Sequence, residues 1–438
     1  MKSIEHLRFK WILPGMRIKR YIVSIVIGLL ILFYVLSIFY VNYAYSRTSF
    51  LRKFFFFFAD LNIPYKDFVL PLFLVIVIII SILLIIYGIK RLVLSIAQCL
   101  APEKNENEIM NIVFEKRKEN LKKKVVVIGG GTGTTSVLQG LKDEFVKVSA
   151  IITVADSGGS SGRIRREMKI PPPGDIRSCL VSLSEENSLA SKLLSFRFKE
   201  KDSPLNGHNL GNIIIAGLTR ITGDFGDAVI KLSKLLEING ETMPFTTEDV
   251  TICAEFDDGN IVEGEAEITD YHGKIKRVFI KPDYAKPYIK ALERISNADL
   301  IVIGPGSLYT SIIPPMLFSS MIDTIRRSKA RKVFVVNIMT EPGETDKFSA
   351  SQHIEKVIKI LGEGVINFAI INTGKVSKNV LEKYIASGSD FVEEDAKKVE
   401  EMGIRVIKGD FAVERGDLVR HNPEKLGETL MKLIRERA

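Results

Sequence analysis

Residues 124–133 read KVVVIGGGTG, and this stretch decides the fold of the larger part of the chain. Its first half is a short β-branched run of the kind that forms a buried parallel strand, and the glycines end that run in a turn. A helical pattern follows at residues 134–142, and a second apolar run covers residues 146–154. Strand, turn, helix and strand in this order predict a βαβ unit, the opening of a doubly wound α/β sheet.

The glycine turn that ends this first strand is a candidate phosphate-binding loop. Between a strand and a helix, backbone N–H groups and the positive end of the helix dipole meet at one place, where a phosphate can bind. The spacing is neither a strict GxGxxG nor a GxxxxGK[ST], so a tight-packing turn without a ligand is the alternative. The predicted ligand contacts here are Gly130, Gly131, Thr132 and Gly133.

A second polar loop follows the second predicted strand. Asp156 lies where Rossmann-type folds place an acid that accepts from a ribose hydroxyl, and such an acid can also hold Mg²⁺ through a phosphate. The alternative is a flexible loop that ends in a solvated basic helix face. The loop offers serine hydroxyls, glycines that allow close backbone approach, and a guanidinium for a diphosphate. The residues predicted to bind ligand here are Ser157, Gly158, Gly159, Ser160, Ser161 and Arg163.

Two more glycine turns, GHNLGN at residues 207–212 and GPGSLYTS at residues 304–311, also follow apolar or helical stretches. In the first, amides spaced i, i+3 share a helix face and can bind a base, sugar or phosphate, although N-capping explains Asn209 equally well. The second repeats the order strand, glycine turn, hydroxyls and helix, so it predicts a second anion-binding loop. The residues predicted to bind ligand are His208, Asn209, Asn212, Gly304, Gly306, Ser307, Tyr309 and Thr310, with Asn337 at the end of a later strand.

The C-terminal half returns to alternating strands and helices. Short apolar runs at residues 300–303, 332–336, 368–371 and 405–407 are separated by helical patterns. Residues 246–282 instead alternate polar and apolar side chains around two glycine turns, which predicts a small antiparallel β insertion. We therefore expect residues 124–438 to form one Rossmann-like α/β domain with a mainly parallel sheet.

Residues 1–91 differ sharply from this domain, because they contain two uncharged stretches at about residues 21–43 and 68–89. Each is long enough to cross the roughly 30 Å of bilayer hydrocarbon, which predicts a transmembrane hairpin, with a buried soluble helix as the alternative. No small-residue cleavage site follows the first stretch, which argues against a removed signal peptide. Basic residues are more numerous at both ends than in the loop between the helices. The positive-inside rule therefore predicts a multi-pass cell-membrane protein whose main domain faces the cytoplasm, joined through a charged helical linker at residues 92–123.

Charge and cysteine content exclude several other classes. The first 91 residues carry twelve Lys or Arg against three Asp or Glu, so they account for the whole formal charge of +9. The main domain therefore has no net positive field, and we expect no nucleic-acid partner. The three cysteines have no CxxC spacing, which supports neither a disulfide framework nor a zinc site and fits a reducing compartment. No metal ligands can be assigned from the spacing.

The motifs VVVIGGGTG, TVADSGGSSGRIRRE, PPPGDIR, GHNLGN, IGPGSLYTSIIPP and NIMTEPGET, in this order, resemble the CofD-like family from about residue 124 to the C-terminus. The resemblance is closer to its YvcK branch, the gluconeogenesis factors, and it implies a Rossmann-like fold. Members of the CofD branch transfer a 2-phospholactyl-type group from a guanosine diphosphate conjugate to a deazaflavin with Mg²⁺. Members of the YvcK branch look like regulators that bind UDP-sugars, notably UDP-N-acetylglucosamine, and affect cell shape, peptidoglycan wall synthesis and growth on gluconeogenic carbon.

Two details of the resemblance shape the functional hypothesis. The transferases carry paired acids where this chain has Asp156 and Ser157, and the loss of one carboxylate weakens the expectation of metal-dependent transfer. A 2-phospho-L-lactate transferase that uses Asp156 as its catalytic residue with Mg²⁺ is therefore kept as the alternative. The YvcK branch instead implies uracil stacking by Tyr384 and diphosphate binding by Arg420. The resulting hypothesis is a membrane-anchored UDP-sugar-binding regulator, with cell-wall synthesis proteins and further copies of the chain as candidate partners. A membrane scaffold without nucleotide binding is a third hypothesis.

Overall fold

The computed structural model describes residues 19–44, 66–100, 121–155, 158–200 and 202–436, together with residues 105, 108 and 111. The chain divides into two compact units, Met1–Leu121 and Lys122–Ala438. The first contains the apolar helices and the second contains the sheet.

The first unit is built from two long helices, α1 (Lys19–Ala44) and α2 (Lys66–Leu100), which pack against each other. The Ser24 hydroxyl donates to the Leu84 carbonyl oxygen across the pair at 3.3 Å. Both helices are long and apolar enough to cross a membrane, a property shared with buried core helices and signal sequences. Helix α2 continues eleven residues past the predicted end at 89, because charges at 90 and 91 end an apolar stretch without breaking a helix. The predicted linker therefore begins inside α2, and most of it lies outside the described residues.

The described part of the second unit contains twelve strands. They are β1 (Lys123–Gly129), β2 (Val146–Ile152), β3 (Glu241–Pro244), β4 (Thr251–Phe256), β5 (Ile261–Glu263), β6 (Ile275–Lys281), β7 (Leu300–Ile303), β8 (Arg331–Val335), β9 (Phe368–Asn372), β10 (Arg405–Gly409), β11 (Ala412–Arg415) and β12 (Leu418–His421).

Thirteen α-helices accompany these strands in the same described part of the unit. They are α3 (Gly131–Leu141), α4 (Gly159–Met168), α5 (Gly174–Leu183), α6 (Leu189–Ser195), α7 (Leu210–Thr222), α8 (Phe225–Leu235), α9 (Glu265–Asp270), α10 (Ile289–Ser296), α11 (Ser319–Arg327), α12 (Ala350–Leu361), α13 (Lys378–Ala386), α14 (Ala396–Glu401) and α15 (Pro423–Arg435). A π-helical turn at Leu308–Ile312 and a 3₁₀ turn at Pro314–Leu317 follow β7.

Seven strands form one parallel sheet in the order β10-β9-β8-β7-β1-β2-β3. The chain runs outward from β1 to β3, returns to β7 beside β1, and then runs outward on the other side. The apolar residues of β1 are almost fully buried, as expected for a central strand of a parallel sheet. The predicted doubly wound α/β fold is confirmed. Its order reverses between β1 and β7, and folds of this class bind ligands at the carboxyl ends of the strands at that point.

The predicted antiparallel insertion is confirmed as the three-stranded sheet β5-β4-β6, between β3 and β7 in sequence. It also contains α9, which the polar-apolar alternation does not predict. The insertion packs closely on the loop after β8, because a Cβ at Gly343 would lie 2.1 Å from the Thr269 carbonyl oxygen. The short edge strand β3 and the hairpin β11–β12 are likewise absent from the prediction.

Candidate functional site

A cavity of about 580 Å³ opens at the point where the strand order reverses. This volume lies within the range of small-molecule sites in proteins. Its wall combines loops that follow β1, β2, β7 and β8 with residues of the insertion, α13 and β12. The lining residues are Gly130–Gly133, Ser136, Gly158, Asp175, Glu265, Ala266, Pro305–Ser307, Ser311, Asn337–Pro342, Tyr384, Ser387, Ser389 and Val419–His421.

The loop after β1 contributes four consecutive residues to the wall of this cavity. Gly130 is the N-cap of α3 and makes no side-chain capping hydrogen bond, so the helix begins with N–H groups that a ligand anion can use. Gly131 has φ +47°, a left-handed conformation that favours glycine. A Cβ at Gly133 would lie 2.4 Å from the Pro305 carbonyl oxygen, so this position also requires glycine. The predicted contacts Gly130, Gly131, Thr132 and Gly133 therefore lie together in the cavity wall.

The loop after β7 lies directly against the first loop. Asn337 fixes it, because its Oδ1 accepts from the Gly306 N–H and its Nδ2 donates to the Gly306 carbonyl oxygen, each at 2.9 Å. Gly306, Ser307 and Asn337 all line the cavity, whereas Gly304 is not in its wall. The amide of Asn337 thus already has protein partners, and its described role is to orient the Gly306 peptide.

Tyr309 and Thr310, which are also predicted ligand contacts, lie buried in the π-helical turn rather than in the cavity wall. The Thr310 hydroxyl donates to Glu344 Oε1 at 3.2 Å, and the Tyr309 N–H donates to Glu344 Oε2 at 3.3 Å. Burial raises the pKa of Tyr309 to about 12, so its hydroxyl stays neutral. The buried Glu344 carboxyl therefore accounts for the Thr310 hydroxyl and for the Tyr309 N–H.

The loop after β2 is described only in part, because Asp156 and Ser157 lie outside the described residues. Gly158 lines the cavity and is the N-cap of α4, again without a side-chain capping hydrogen bond. A second helix N-terminus without a side-chain cap thus lies at the cavity. Gly159 begins the helix and is not among the lining residues.

Behind Gly158 lies a buried polar cluster that contains most of the remaining predicted contacts. The Ser160 hydroxyl accepts from the Asn209 N–H and from Asn212 Nδ2, each at 3.2 Å, and lies 3.3 Å from His208 Nδ1. Asn212 Nδ2 also lies 3.3 Å from the hydroxyl of Ser161. None of these five residues is in the cavity wall.

The polar atoms of this cluster have structural partners. Asn209 caps α7, with its side chain accepting from the Asn212 N–H at 3.2 Å, and Asn212 Oδ1 accepts from Arg177 Nε at 3.1 Å. Arg163 donates to the Asn206 carbonyl oxygen at 3.0 Å. Burial, and then the charge of Arg163, lower the pKa of His208, which keeps its ring neutral. The cluster joins the start of α4 to the start of α7, and direct ligand contact by these side chains stays a prediction.

Two residues from the C-terminal part of the chain also line the cavity, Tyr384 of α13 and Arg420 of β12. The Tyr384 hydroxyl accepts from the Val419 N–H at 3.0 Å, and its ring packs on a small apolar cluster that includes Ile338 and Met339. The half-buried Arg420 side chain makes no hydrogen bond or ion pair with any residue that the structure describes. A ring and a guanidinium thus line the same cavity as the glycine loops.

The cavity also contains ionisable groups to which the sequence assigns no role. Burial raises the pKa of Glu341 to about 8, and the charge of Glu344 adds to the rise, while a hydrogen bond from Ser307 acts in the opposite direction. His421 lies 3.1 Å from the Val336 carbonyl oxygen, and burial lowers its pKa to about 4, so its ring is neutral. Asp175 is a further acid in the wall. The only local signal for Glu341 is its place in NIMTEPGET, after an apolar strand.

Within the described ranges, no group of three His, Cys, Asp or Glu side chains is arranged to hold a metal ion. Mg²⁺ can be held by one or two carboxylates together with ligand phosphates. Asp156, the acid that the sequence predicts for this role, lies outside those ranges.

Comparison with known proteins finds matches over the sheet-containing unit and beyond it. Residues 125–412 match the family described as 2-phospho-L-lactate transferase CofD. A gluconeogenesis factor from Halalkalibacterium halodurans is 43% identical over 311 residues, which are 71% of this chain and 96% of that protein. A protein from Clostridium acetobutylicum is 34% identical over 432 residues, covering 98% of this chain and 92% of its own length. A crystal structure of a UPF0052 family member from Bacillus halodurans gives a TM-score of 0.68 at 43% identity, covering 71% of this chain and all of that one.

Proposed function

The chain belongs to the CofD family, and on that premise we propose that it is a membrane-anchored regulator that binds a UDP-sugar, above all UDP-N-acetylglucosamine. In this proposal, ligand binding reports precursor supply to peptidoglycan wall synthesis and affects cell shape and growth on gluconeogenic carbon. The observation that carries the proposal is one cavity that is lined by two glycine loops together with Tyr384 and Arg420.

The glycine loops suit the diphosphate of such a ligand. The N-termini of α3 and α4, neither of which has a side-chain cap, lie at the cavity through Gly130 and Gly158. Each offers N–H donors and the positive end of a helix dipole, and close packing between the loops after β1 and β7 brings a third backbone segment to the same place. Charge-assisted hydrogen bonds of this kind are stronger than neutral ones.

Tyr384 and Arg420 suit the uridine end and the remaining phosphate charge. Tyr384 is held by its hydrogen bond to the β12 backbone, so its ring is fixed before a base stacks on it. Arg420 has no described protein partner that a ligand phosphate would displace, and a guanidinium binds two phosphate oxygens at once.

The regulatory and membrane parts of the proposal have separate support. A relative 43% identical over most of its length is a gluconeogenesis factor, which supports a role in growth on gluconeogenic carbon. The two apolar helices support anchoring, and the distribution of basic residues favours a sheet-containing unit on the cytoplasmic side. A reporter fused after Ala438 tests this orientation, because it must be active only in the cytoplasm, and a signal from the other side would contradict the anchoring proposal.

The binding experiment is calorimetric titration of the full-length chain in detergent with UDP-N-acetylglucosamine, GDP and GMP, with and without Mg²⁺. Tyr384→Ala and Arg420→Ala should each weaken UDP-sugar binding at least about tenfold, the size expected for losing a hydrogen bond to a charged group or a stacked ring. Tyr284→Ala and Arg327→Ala, at exposed positions outside the cavity wall, are the matched controls.

The rival functions give different results in the same experiment. Mg²⁺-dependent binding of guanosine nucleotides, together with GMP release from a matching guanosine diphosphate conjugate, would favour a 2-phospho-L-lactate transferase-type enzyme. No binding of any nucleotide would favour a membrane scaffold. Equal losses of UDP-sugar affinity in the cavity variants and in the two control variants would contradict the assignment of the cavity as the binding site.

A further inference from the structure

Glu341 lines the cavity, and neither packing nor internal hydrogen bonding accounts for the position of its carboxyl group. Its Oε2 atom is buried and has no hydrogen-bond partner among the described residues. Buried polar atoms normally have partners, and an unsatisfied one costs about 1–3 kcal/mol. The residue also lies beside the phosphate side of the cavity, because Ser307 of the loop after β7 donates a hydrogen bond to its carboxyl.

The half-buried Glu341 has the buried Glu344 as its neighbour, and the hydrogen bonds decide which of the two acids holds a proton. Glu344 accepts from the Thr269 hydroxyl at 3.1 Å, from Thr310 and from the Tyr309 N–H. Several donors to one carboxyl stabilise its ionised form, whereas Glu341 accepts only from Ser307 among the described groups. Two buried carboxylates this close do not both ionise readily, so the proton resides on Glu341.

The other ionisable groups of the cavity do not reverse this assignment. They come from four separate elements: Asp175 from α5, Glu265 from α9, Tyr384 from α13, and Arg420 and His421 from β12. His421 is neutral because burial lowers its pKa to about 4. Burial and the Glu344 charge are the causes that raise the pKa of Glu341, to about 8. At neutral pH the group is therefore mostly a carboxylic acid, which can donate a hydrogen bond.

We propose that Glu341 binds the ligand as a neutral carboxylic acid and donates its hydrogen to an oxygen atom of the nucleotide sugar. The proposal rests on the proposed function and adds a specificity element to the same site. An ionised Glu341 would repel the diphosphate, so ligand binding retains a proton and becomes weaker as the pH rises. The site then selects a phosphorylated ligand whose acceptor oxygen lies next to the loop after β7.

The test is titration of the full-length chain in detergent with UDP-N-acetylglucosamine from about pH 6 to about pH 9, with the carboxyl of Glu341 losing its proton across that range. The wild-type affinity should fall about tenfold between these limits. Glu341→Gln keeps a hydrogen donor and cannot ionise, so its affinity should stay within about threefold of wild type near pH 7 and change less than about twofold over the range. Glu341→Ala should bind about tenfold more weakly at low pH, without the pH dependence.

A control and an independent measurement keep the test decisive. Glu363→Gln changes an exposed acid outside the cavity wall and should retain the wild-type pH dependence. Infrared difference spectroscopy of the ligand-free chain near neutral pH should show a protonated carboxyl band that Glu341→Gln removes.

The same pH dependence in wild type and Glu341→Gln would overturn the proposal, as would loss of binding in Glu341→Gln at every pH. Wild-type binding without the infrared band would overturn the proposal that Glu341 is a neutral acid, while the proposed UDP-sugar function would stand. Absence of wild-type binding at every pH would overturn the proposed UDP-sugar function as well, so the two failures are distinguishable.

Discussion

The contact between the loops after β1 and β7 predicts a large difference between two glycine substitutions. A Cβ at Gly133 would lie 2.4 Å from the Pro305 carbonyl oxygen and 3.0 Å from the Gly306 nitrogen, both backbone atoms that cannot rotate away. Overpacking of this kind costs about 1–3 kcal/mol, against at most about 1 kcal/mol gained from the helix propensity of alanine. Gly133→Ala should therefore lower the free energy of unfolding by about 1–2 kcal/mol.

Gly217→Ala is the matched control, because this glycine lies inside α7 and a Cβ added there would have nothing within 4 Å. It should raise the free energy of unfolding by about 0.5–1 kcal/mol through helix propensity alone. The two variants thus move in opposite directions from wild type.

Thermal unfolding of the full-length chain, followed by circular dichroism, measures both effects. For a unit of this size about 1 kcal/mol corresponds to roughly 2 °C, so Gly133→Ala should unfold about 2–4 °C below wild type. The same variant should bind UDP-sugar more weakly, because the loops must separate to make room for the methyl group. If Gly133→Ala were as stable as Gly217→Ala and bound ligand normally, the two loops would not be in close contact and the cavity assignment would fail.

Three further predictions follow from other contacts. Asn209→Ala removes the cap of α7 and should lower the free energy of unfolding by about 1 kcal/mol in urea denaturation, with Asn209→Ser recovering most of the loss; an unchanged midpoint in the alanine variant would contradict the capping role. Because the folded-state pKa of Glu341 is raised from 4.5 to about 8, the folded state binds more protons between these values, and wild-type stability should decrease as the pH rises through that interval. Glu341→Gln should lack this part of the decrease, so its free energy of unfolding should exceed that of wild type by up to a few kcal/mol near pH 8. Parallel curves of unfolding free energy against pH for the two proteins would refute this prediction. Gly88→Leu places a side chain where even a Cβ would lie 2.6 Å from Ile25 Cγ1, so it should push α1 and α2 apart. In an otherwise cysteine-free chain, it should therefore reduce disulfide cross-linking between cysteines introduced at Ser24 and Leu84. An undiminished cross-linking yield would argue against the packing of α1 on α2.

The glycine loops after β1 and β7 could be predicted from sequence because their position depends on local chemistry and one rule of topology. A β-branched run followed by glycines ends a buried strand, and parallel strands all end at the same edge of the sheet. Any two such loops on neighbouring strands must then approach each other. The close packing of Gly133 on Pro305 is the physical consequence, although its distance cannot be obtained from either motif alone.

The elements that the sequence does not predict lack such a local signal. Strand β3 has four residues, ends in proline and pairs only with β2, so neither periodicity nor length distinguishes it from a loop. Helix α9 is a six-residue helix inside an alternating segment. The sequence connects Tyr384 to the site only through family resemblance, because the contact of α13 with the cavity depends on the fold of the C-terminal part of the chain. Glu341 follows an apolar strand as many exposed acids do, and its burial is a tertiary property.

Hydrogen bonding separates the polar residues of the site into two kinds with different consequences for function. Asn337, Asn212 and Glu344 have their polar atoms bonded inside the protein, so they hold the loops in place. Arg420 and the Oε2 atom of Glu341 have no described partner although both residues line the cavity. An unsatisfied buried polar group lowers stability, and a ligand that supplies the missing partner recovers that free energy on binding. These two groups, a cation and a neutral acid, line a cavity that also holds two helix N-termini without side-chain caps. Together they favour a ligand rich in anionic and neutral oxygen acceptors, which is the chemistry of the nucleotide sugar that we propose.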